Sequence, residues 1–376
     1  MRSFDVLIVG GGPAGSSCAW KLRHSGLRVA VLDRANFPRD KVCAGWITPQ
    51  VVDELELDLE EYAKNYTCQA FHGFRVGALG GEDVAVDYGR PVSFGIRRCE
   101  FDSYLLSRSG AELLLGESVR SVRSTEGGWV VNDSLQASLL VGAGGHFCPV
   151  VRLLHDAPGD PGVVVAAQEV EFALDDRAAA ACSVRPELPE LYFMDDLRGY
   201  GWAVRKGAFL NVGLGRQDTH DLGVHVGRFL DFLHGRGALP PGSPRKLRGH
   251  AYLLYGLSPR PLVEDRLLLV GDAAGLADPR SGEGIRPAIE SGLLAATVLQ
   301  RAEGRYHRSE LMPYEEAMVR RFGRRDARAV SALSTLVPQA LRPRIARWAL
   351  ASRFVAKHVI LDRWFLHRDL APLPAT

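Results

Sequence analysis

Gly10, Gly12 and Gly15 stand in the spacing G-x-G-x-x-G, directly behind an apolar run at residues 6–9. In such a turn the first glycine permits a sharp reversal, the second lets backbone approach a pyrophosphate, and the third lets a helix pack on the strand. The helix entered through Pro13 and Ala14 would present unpaired N–H groups and a positive dipole end to phosphates. A second apolar run, residues 29–32, ends on Asp33. That is the distance of roughly 20 residues at which a carboxylate accepts from an adenosine ribose, and Arg34 adjoins it. An acid at this position repels a 2′-phosphate, so FAD or NAD is expected rather than NADP. A glycine turn alone is often only a turn. Here a strand precedes it, a helix follows, and the acid falls in place.

A second constellation lies in "VGDAAGLADPRSGEGIRPAIESG", residues 270–292. A buried run stops at Gly271-Asp272; then come Pro279, Gly282 and Gly284, and a helix from Ile285. A carboxylate beside a helix N-terminus suits a polar, partly anionic ring, because the positive helix end stabilises negative charge. The plainer reading is an aspartate N-cap with a loop. The histidines show no metal-ligand spacing and are expected to be structural, and no metal is expected.

These groups need parallel strands and helices to hold them. The chain of 376 residues, 46% hydrophobic and 24% charged, can bury a large core and suits two lobes. A net charge of +2 points to no nucleic acid. Six scattered cysteines without C-x-x-C argue against a zinc ribbon or iron–sulfur cluster and fit a reducing cytosol. The N-terminus enters a strand directly, so no signal peptide is expected, and no apolar run is long enough to span a membrane. The fold class expected is α/β. Residues 1–160 and 256–310 would form a Rossmann-like dinucleotide domain, with part of 50–100 open to the second lobe. Residues 161–255, rich in short apolar runs, would form a β-sheet substrate domain with one helix near 225–237. Residues 311–376 would form a helical segment broken at Pro338 and Pro343.

Several stretches resemble flavoproteins of the para-hydroxybenzoate-hydroxylase type. "LLLVGDAAGLADPRSGEGIRPAIESG" resembles their second FAD segment. The resemblance implies that Asp272 accepts from a ribityl hydroxyl and Pro279 lies near the ring. Gly284 and Ile285 would supply backbone donors, with Gly271 and Gly282 in the same turn. "RRCEFDSYLL", 97–106, resembles R-x-x-F-D-x-x-L, so Arg98 would contact FAD and Phe101 and Leu105 would be core. "LLVGAGGHFCPVVR", 139–152, resembles G-A-D-G-x-x-S-x-V-R with Gly144 in place of the aspartate. That aspartate is credited with pyridine-nucleotide contacts, so the electron donor stays open among NAD(P)H, ferredoxin and a flavin reductase.

"FPRDKVCAGWITPQVVDEL", 37–55, resembles the K-P-C-G-G-x-L-x-P segment of geranylgeranyl reductases, keeping Lys41, Cys43, Gly45 and Pro49 around Ala44 and Trp46. "GYGWAVRKGAFLNVGLGR", 199–216, resembles that family's Y-x-W-x-F-P-K-G-D-x-x-N-V-G-x-G, keeping Tyr200, Trp202, Lys206 and Asn211 but carrying Val204, Arg205 and Ala208 for Phe, Pro and Asp. The resemblance implies an FAD-dependent reductase of C=C bonds in an isoprenoid or other apolar, lipid-like chain. Cys43, Trp46, Tyr200 and Trp202 are its candidate catalytic or wall residues, with Lys41, Cys43, Ala44 and Gly45 also at the cofactor. Cys43 alone reads equally as a small buried hydrophobe, and Tyr200 and Trp202, on one strand face, as core. The rival activity is an FAD monooxygenase, hydroxylating or epoxidising; a halogenase is less favoured because W-x-W-x-I-P is absent.

From residue 311 on there are twelve Lys or Arg against five Asp or Glu. With Trp348, Phe354 and Phe365 interspersed, this segment either packs on the protein or meets an anionic membrane face. The expected location is cytoplasmic, with peripheral contact to the inner membrane face left open.

Overall fold

The computed structural model describes residues 1–154, 163–217, 220–257, 260–324 and 342–373. Strand Arg2–Val9 is buried along its C-terminal half, as a central parallel strand must be. It pairs in parallel with Val29–Asp33 on one side and Leu135–Gly142 on the other. The sheet runs Val263–Glu264, Leu267–Leu269, Leu135–Gly142, Arg2–Val9, Val29–Asp33, Glu112–Leu115, with the hairpin strands Val122–Thr125 and Gly128–Val131 beside Leu135–Gly142. Helices Pro13–Leu22 and Ile285–Ala302 pack together against it. Both glycine-led helices therefore leave the sheet at the carboxyl ends of its parallel strands, where open α/β sheets bind ligands.

The second sheet has seven strands, ordered Arg248–Leu253, Val164–Ala173, Phe209–Arg216, Gly199–Lys206, Glu190–Phe193, Gly73–Ala78, Asp83–Asp87. Residues from well upstream thus complete a sheet built mainly by 164–253. Side chains alternate along its strands. Leu210, Val212 and Leu214 face the helix Leu222–Gly235, which brings Val226, Phe229 and Leu233. Trp202, Val204, Phe74 and Val76 face the other way, into a core shared with the C-terminus. A small three-stranded sheet, Trp46–Ile47, Ser93–Ile96 and Cys68–Phe71, lies at the join.

Pro338 lies outside the described residues, and Pro343 is the second residue of the helix Arg342–Ala351. After the short helix Arg353–Val355, the chain continues as a π-helix, Ala356–Phe365. The wider i→i+5 turn changes which positions share a face. Leu350, Ile360, Leu361, Phe365 and Leu366 are buried, whereas Trp348 is 75% and Phe354 69% exposed. Among the described residues no helix is long and apolar enough to cross a membrane.

Candidate active site

Between the two sheets lies a cavity of about 470 Å³, bordered by the glycine turn, the 41–46 segment, the loop after Leu267–Leu269, and the inner face of the second sheet. Gly10 has φ +117°, and a Cβ there would run into the backbone of Ala143 and Gly144. This close approach leaves the turn's own backbone as the cavity floor. The Gly11 N–H donates to Asp33 Oδ2 at 2.7 Å, and Asp33 Oδ1 accepts from the Ala35 N–H at 2.9 Å. The carboxylate is thus held at the cavity edge beside Arg34, with Gly12, Pro13 and Ala14 opposite. Gly15 does not border the cavity: a Cβ on it would collide with the Gly10 carbonyl, so its glycine serves helix–strand packing.

The 270–292 segment closes another side. The helix Ile285–Ala302 starts at Gly284, which has no side chain to cap it, and the Arg286 N–H donates to Glu283 Oε1 at 3.3 Å. Gly284 sits where a Cβ would be 3.3 Å from Asp272 Oδ1. Asp272, Gly282, Gly284 and Ile285 all border the cavity. Gly271 and Pro279 do not. The Gly271 N–H donates to Ser291 Oγ at 2.9 Å, behind the lining layer. Pro279 borders instead a small second cavity, which shares Tyr200, Tyr252 and Gly282 with the larger one.

Charged groups cluster at the centre. Arg98 is buried and donates through Nε and Nη2 to the two oxygens of Asp102, both at 2.8 Å. Burial opposes its charge, but the Asp102 carboxylate outweighs this and raises the Arg98 pKa. Lys41 Nζ lies 2.5 Å from His250 Nε2, which lies 3.7 Å from Asp272 Oδ2. Burial pulls Lys41 down to about 8. Burial alone would raise Asp272, yet the adjacent His250 ring and the Lys41 and Arg98 charges hold its carboxyl below the usual range. Burial likewise lowers His250, against the pull of Asp272.

The opposite wall is aromatic. Trp46, Tyr200 and Trp202 border the cavity with Cys43, Ala44 and Gly45, and Gly144 lies on its rim. The Tyr200 hydroxyl donates to the Ser281 carbonyl at 2.5 Å, tying the second sheet to the 278–284 loop. Trp202 is 5% exposed and donates its indole N–H to Asn211 Oδ1 at 2.7 Å. It is therefore wall and core at once, and the two readings of this residue do not exclude each other.

His146 and His250, expected to be structural, both border the cavity, as does Tyr252. His250 and Tyr252 alternate on Arg248–Leu253, so period two alone puts them on one face; nothing motif-like marks that strand. Phe365, 320 or so residues from Trp46 in the chain, backs the wall, 5.3 Å from Tyr200 and 6.0 Å from Trp46 between ring centroids. Phe101 and Leu105 are core, as expected. Among the described residues no cluster of His, Cys, Asp or Glu could hold a metal ion.

The glycine turn, the acid on the second strand and the aspartate beside a helix N-terminus fit FAD, and residues 5–79 match the family described as FAD dependent oxidoreductase. The chain is an FAD-dependent oxidoreductase. It is 31% identical over 322 residues to a menaquinone reductase of Mycobacterium tuberculosis, covering 79% of this chain and 76% of that one. It is 28% identical to a chloroplastic geranylgeranyl diphosphate reductase of Nicotiana tabacum, covering 79% and 66%. A geranylgeranyl bacteriochlorophyll reductase-like structure from Thermoplasma acidophilum superposes with a TM-score of 0.76 at 21% identity, covering 94% and 92%. The chain belongs to the geranylgeranyl reductase-like family of FAD-dependent oxidoreductases.

Proposed function

We propose that this protein reduces carbon–carbon double bonds of an isoprenoid or similar apolar chain. The observation that carries the reading is the aromatic wall of Trp46, Tyr200 and Trp202 facing the dinucleotide cradle across one cavity. A small polar acid would call for more convergent donors than that wall offers. The names of the relatives, reductases of menaquinone and of geranylgeranyl diphosphate, support the same class.

Gly10, Gly12, Pro13, Ala14, Asp33 and Arg34 would hold the adenosine and pyrophosphate. Asp272 would hold the ribityl chain. Gly282, Gly284 and Ile285 would present the helix end to the ring, with Lys41, Cys43, Ala44, Gly45, Arg98 and Gly144 around it. FAD, when bound and reduced, supplies a hydride. The chain's own contribution is to orient the double bond, exclude water and deliver a proton. Burial raises the pKa of Tyr200 and of Tyr252, so both hydroxyls hold their protons at neutral pH; Tyr200 directs its proton to the Ser281 carbonyl, which leaves Tyr252 as the tyrosine that would protonate the second carbon.

A lipid-chain substrate is met at a membrane. Trp348 and Phe354 project from the C-terminal helices with Arg347, Arg353 and Lys357 nearby in sequence. Such a surface suits peripheral contact with an anionic, cytoplasmic bilayer face.

The test is anaerobic. The flavin is photoreduced, polyprenyl lipids are added, and reoxidation is followed with product mass. Reoxidation matched by a product gaining two hydrogens is expected. Reoxidation that requires oxygen, with a product gaining an oxygen atom, would instead make the protein a monooxygenase.

A further inference from the structure

We infer that Lys206 and Asn211 are positioning residues: from within the second sheet they fix the 43–46 segment, and with it the cavity wall nearest the cofactor. The functional part of this inference rests on the reading that the cavity holds FAD.

Lys206 ends the strand Gly199–Lys206, and its side chain is fully buried. Its Nζ donates to the Ala44 carbonyl at 3.1 Å and the Ile96 carbonyl at 3.0 Å, and lies 2.5 Å from Glu171 Oε2. Glycines flank this side chain. A Cβ on Gly45, where φ is +72°, would lie 2.7 Å from the Lys206 Nζ, and one on Gly95 would lie 2.8 Å from its Cγ. Asn211, on the neighbouring strand Phe209–Arg216, is also buried. Its Nδ2 donates to the Cys43 carbonyl at 3.1 Å and to Glu169 Oε2 at 2.9 Å, while its Oδ1 accepts from the Trp202 indole. Two consecutive carbonyls, Cys43 and Ala44, are therefore each held by a buried side chain of the second sheet.

Neither Lys206 nor Asn211 borders the cavity, whereas Cys43, Ala44, Gly45 and Trp46 all do. An ammonium carries a large desolvation cost when buried, and an apolar side chain of similar size would fill the space without it. What the ammonium adds is directional: it aims at two carbonyls at once, with Glu171 as counter-ion, itself held by Arg97 Nε at 2.9 Å. A side chain that only filled volume would not define where the Ala44 carbonyl sits. Through Asn211 the same network also fixes the Trp202 indole, so the cofactor-side segment and the substrate-side wall are set by one set of bonds.

The experiment uses the full chain with Lys206→Met and Asn211→Leu, and Val204→Ala as a buried apolar control on the same strand. Two quantities are read: the iodoacetamide alkylation rate of Cys43 in the FAD-free protein, resolved from the other cysteines by peptide mass, and the FAD dissociation constant. We expect both polar variants to raise the Cys43 rate by about tenfold and to weaken FAD binding by about tenfold. The control should leave both within about twofold, even if its melting temperature falls as far. Polar variants whose Cys43 rate and FAD affinity merely track the control would overturn the inference. If neither polar variant folds, hydrogen exchange on the unmutated chain decides. The Ile96 N–H, which donates to the Gly45 carbonyl, should open together with the amides of Gly199–Lys206; independent opening at lower cost would overturn it. An unmutated chain that binds no FAD would sink the functional reading alone, since the alkylation comparison does not use the cofactor.

Discussion

On one side of the cavity the wall is backbone; on the other it is side chains. At the glycine turn, Gly10 leaves no room for a Cβ, and a main-chain N–H holds the Asp33 carboxylate. Across the cavity, Trp46 comes from the small three-stranded sheet, Tyr200 and Trp202 from one strand of the second sheet and Tyr252 from another, and Phe365 backs them. A backbone wall depends on a few consecutive residue types, and changes to it are all-or-none. A side-chain wall depends on long-range packing and can be reshaped one residue at a time, which suits a region that must match a particular substrate.

The sharpest way to break this contrast is Gly10→Ala. The new Cβ meets backbone at Ala143 and Gly144, which cannot rotate away, and the residue keeps φ at +117°. Overpacking and backbone strain together should cost about 3–5 kcal/mol, with FAD binding lost in whatever folds. Thermal melts and flavin content check it. A Gly10→Ala protein with ordinary stability and full flavin would show that the turn is not a close-packed floor.

The same contrast explains what could be read before the fold was known. Gly10, Gly12, Asp33 and Asp272 act through local geometry, so their spacing announces them. The wall residues in the 37–55 and 199–216 stretches were found only because those stretches resemble a family. His250 and Tyr252 sit on a strand with no motif, and they reach the cavity because Arg248–Leu253 pairs with Val164–Ala173. Phe365 arrives through a π-helix whose register no heptad or 3.6-residue pattern describes. Strands 73–78 and 83–87 joined the second sheet through a parallel pairing with Glu190–Phe193, more than 100 residues on. Pairings of that range leave no mark in local periodicity.

Behind the side-chain wall, Glu169, which accepts from Asn211, offers a pH test. Burial pushes it up to about 7 from an ordinary value of 4.5. A group raised on folding adds stability below its unfolded value, and that stability is lost as pH rises through the folded value. This network should therefore weaken between about pH 4.5 and pH 7. Glu169→Gln fixes the neutral form, and should remove up to about 3 kcal/mol of that loss. Urea unfolding at several pH values reads it; identical pH slopes in the two proteins would mean Glu169 is ionised throughout.

On the backbone side, Asp272→Asn tests whether a single carboxylate matters beside the helix end. A charge-assisted acceptor is worth about 1.5–3 kcal/mol, so FAD affinity should fall about ten- to a hundredfold. The fold should hold, because Asn keeps the size of Asp272 on the short 3-10 turn Gly271–Ala274 at the cavity edge. Flavin titration into the stripped protein measures it, and unchanged affinity would place the ribityl chain elsewhere.

The smallest expected effect on stability lies outside both walls. Trp348 and Phe354 are 75% and 69% exposed, so replacing both with serine removes little packing and should change stability by less than about 0.5 kcal/mol. If they touch lipid, however, their loss should matter where the rest of the surface does not. Aromatic rings lie at the bilayer interface, and nearby basic groups add attraction to anionic headgroups that salt screens. Sedimentation with phosphatidylserine-containing vesicles should therefore fall about three- to tenfold in the double variant. Binding by the unmutated protein should weaken with salt, and vesicles of neutral lipid should bind less. Equal sedimentation of the two proteins would remove the membrane from the proposal and leave the cavity and its chemistry untouched, because Phe365, not Trp348 or Phe354, is the C-terminal aromatic that reaches the wall.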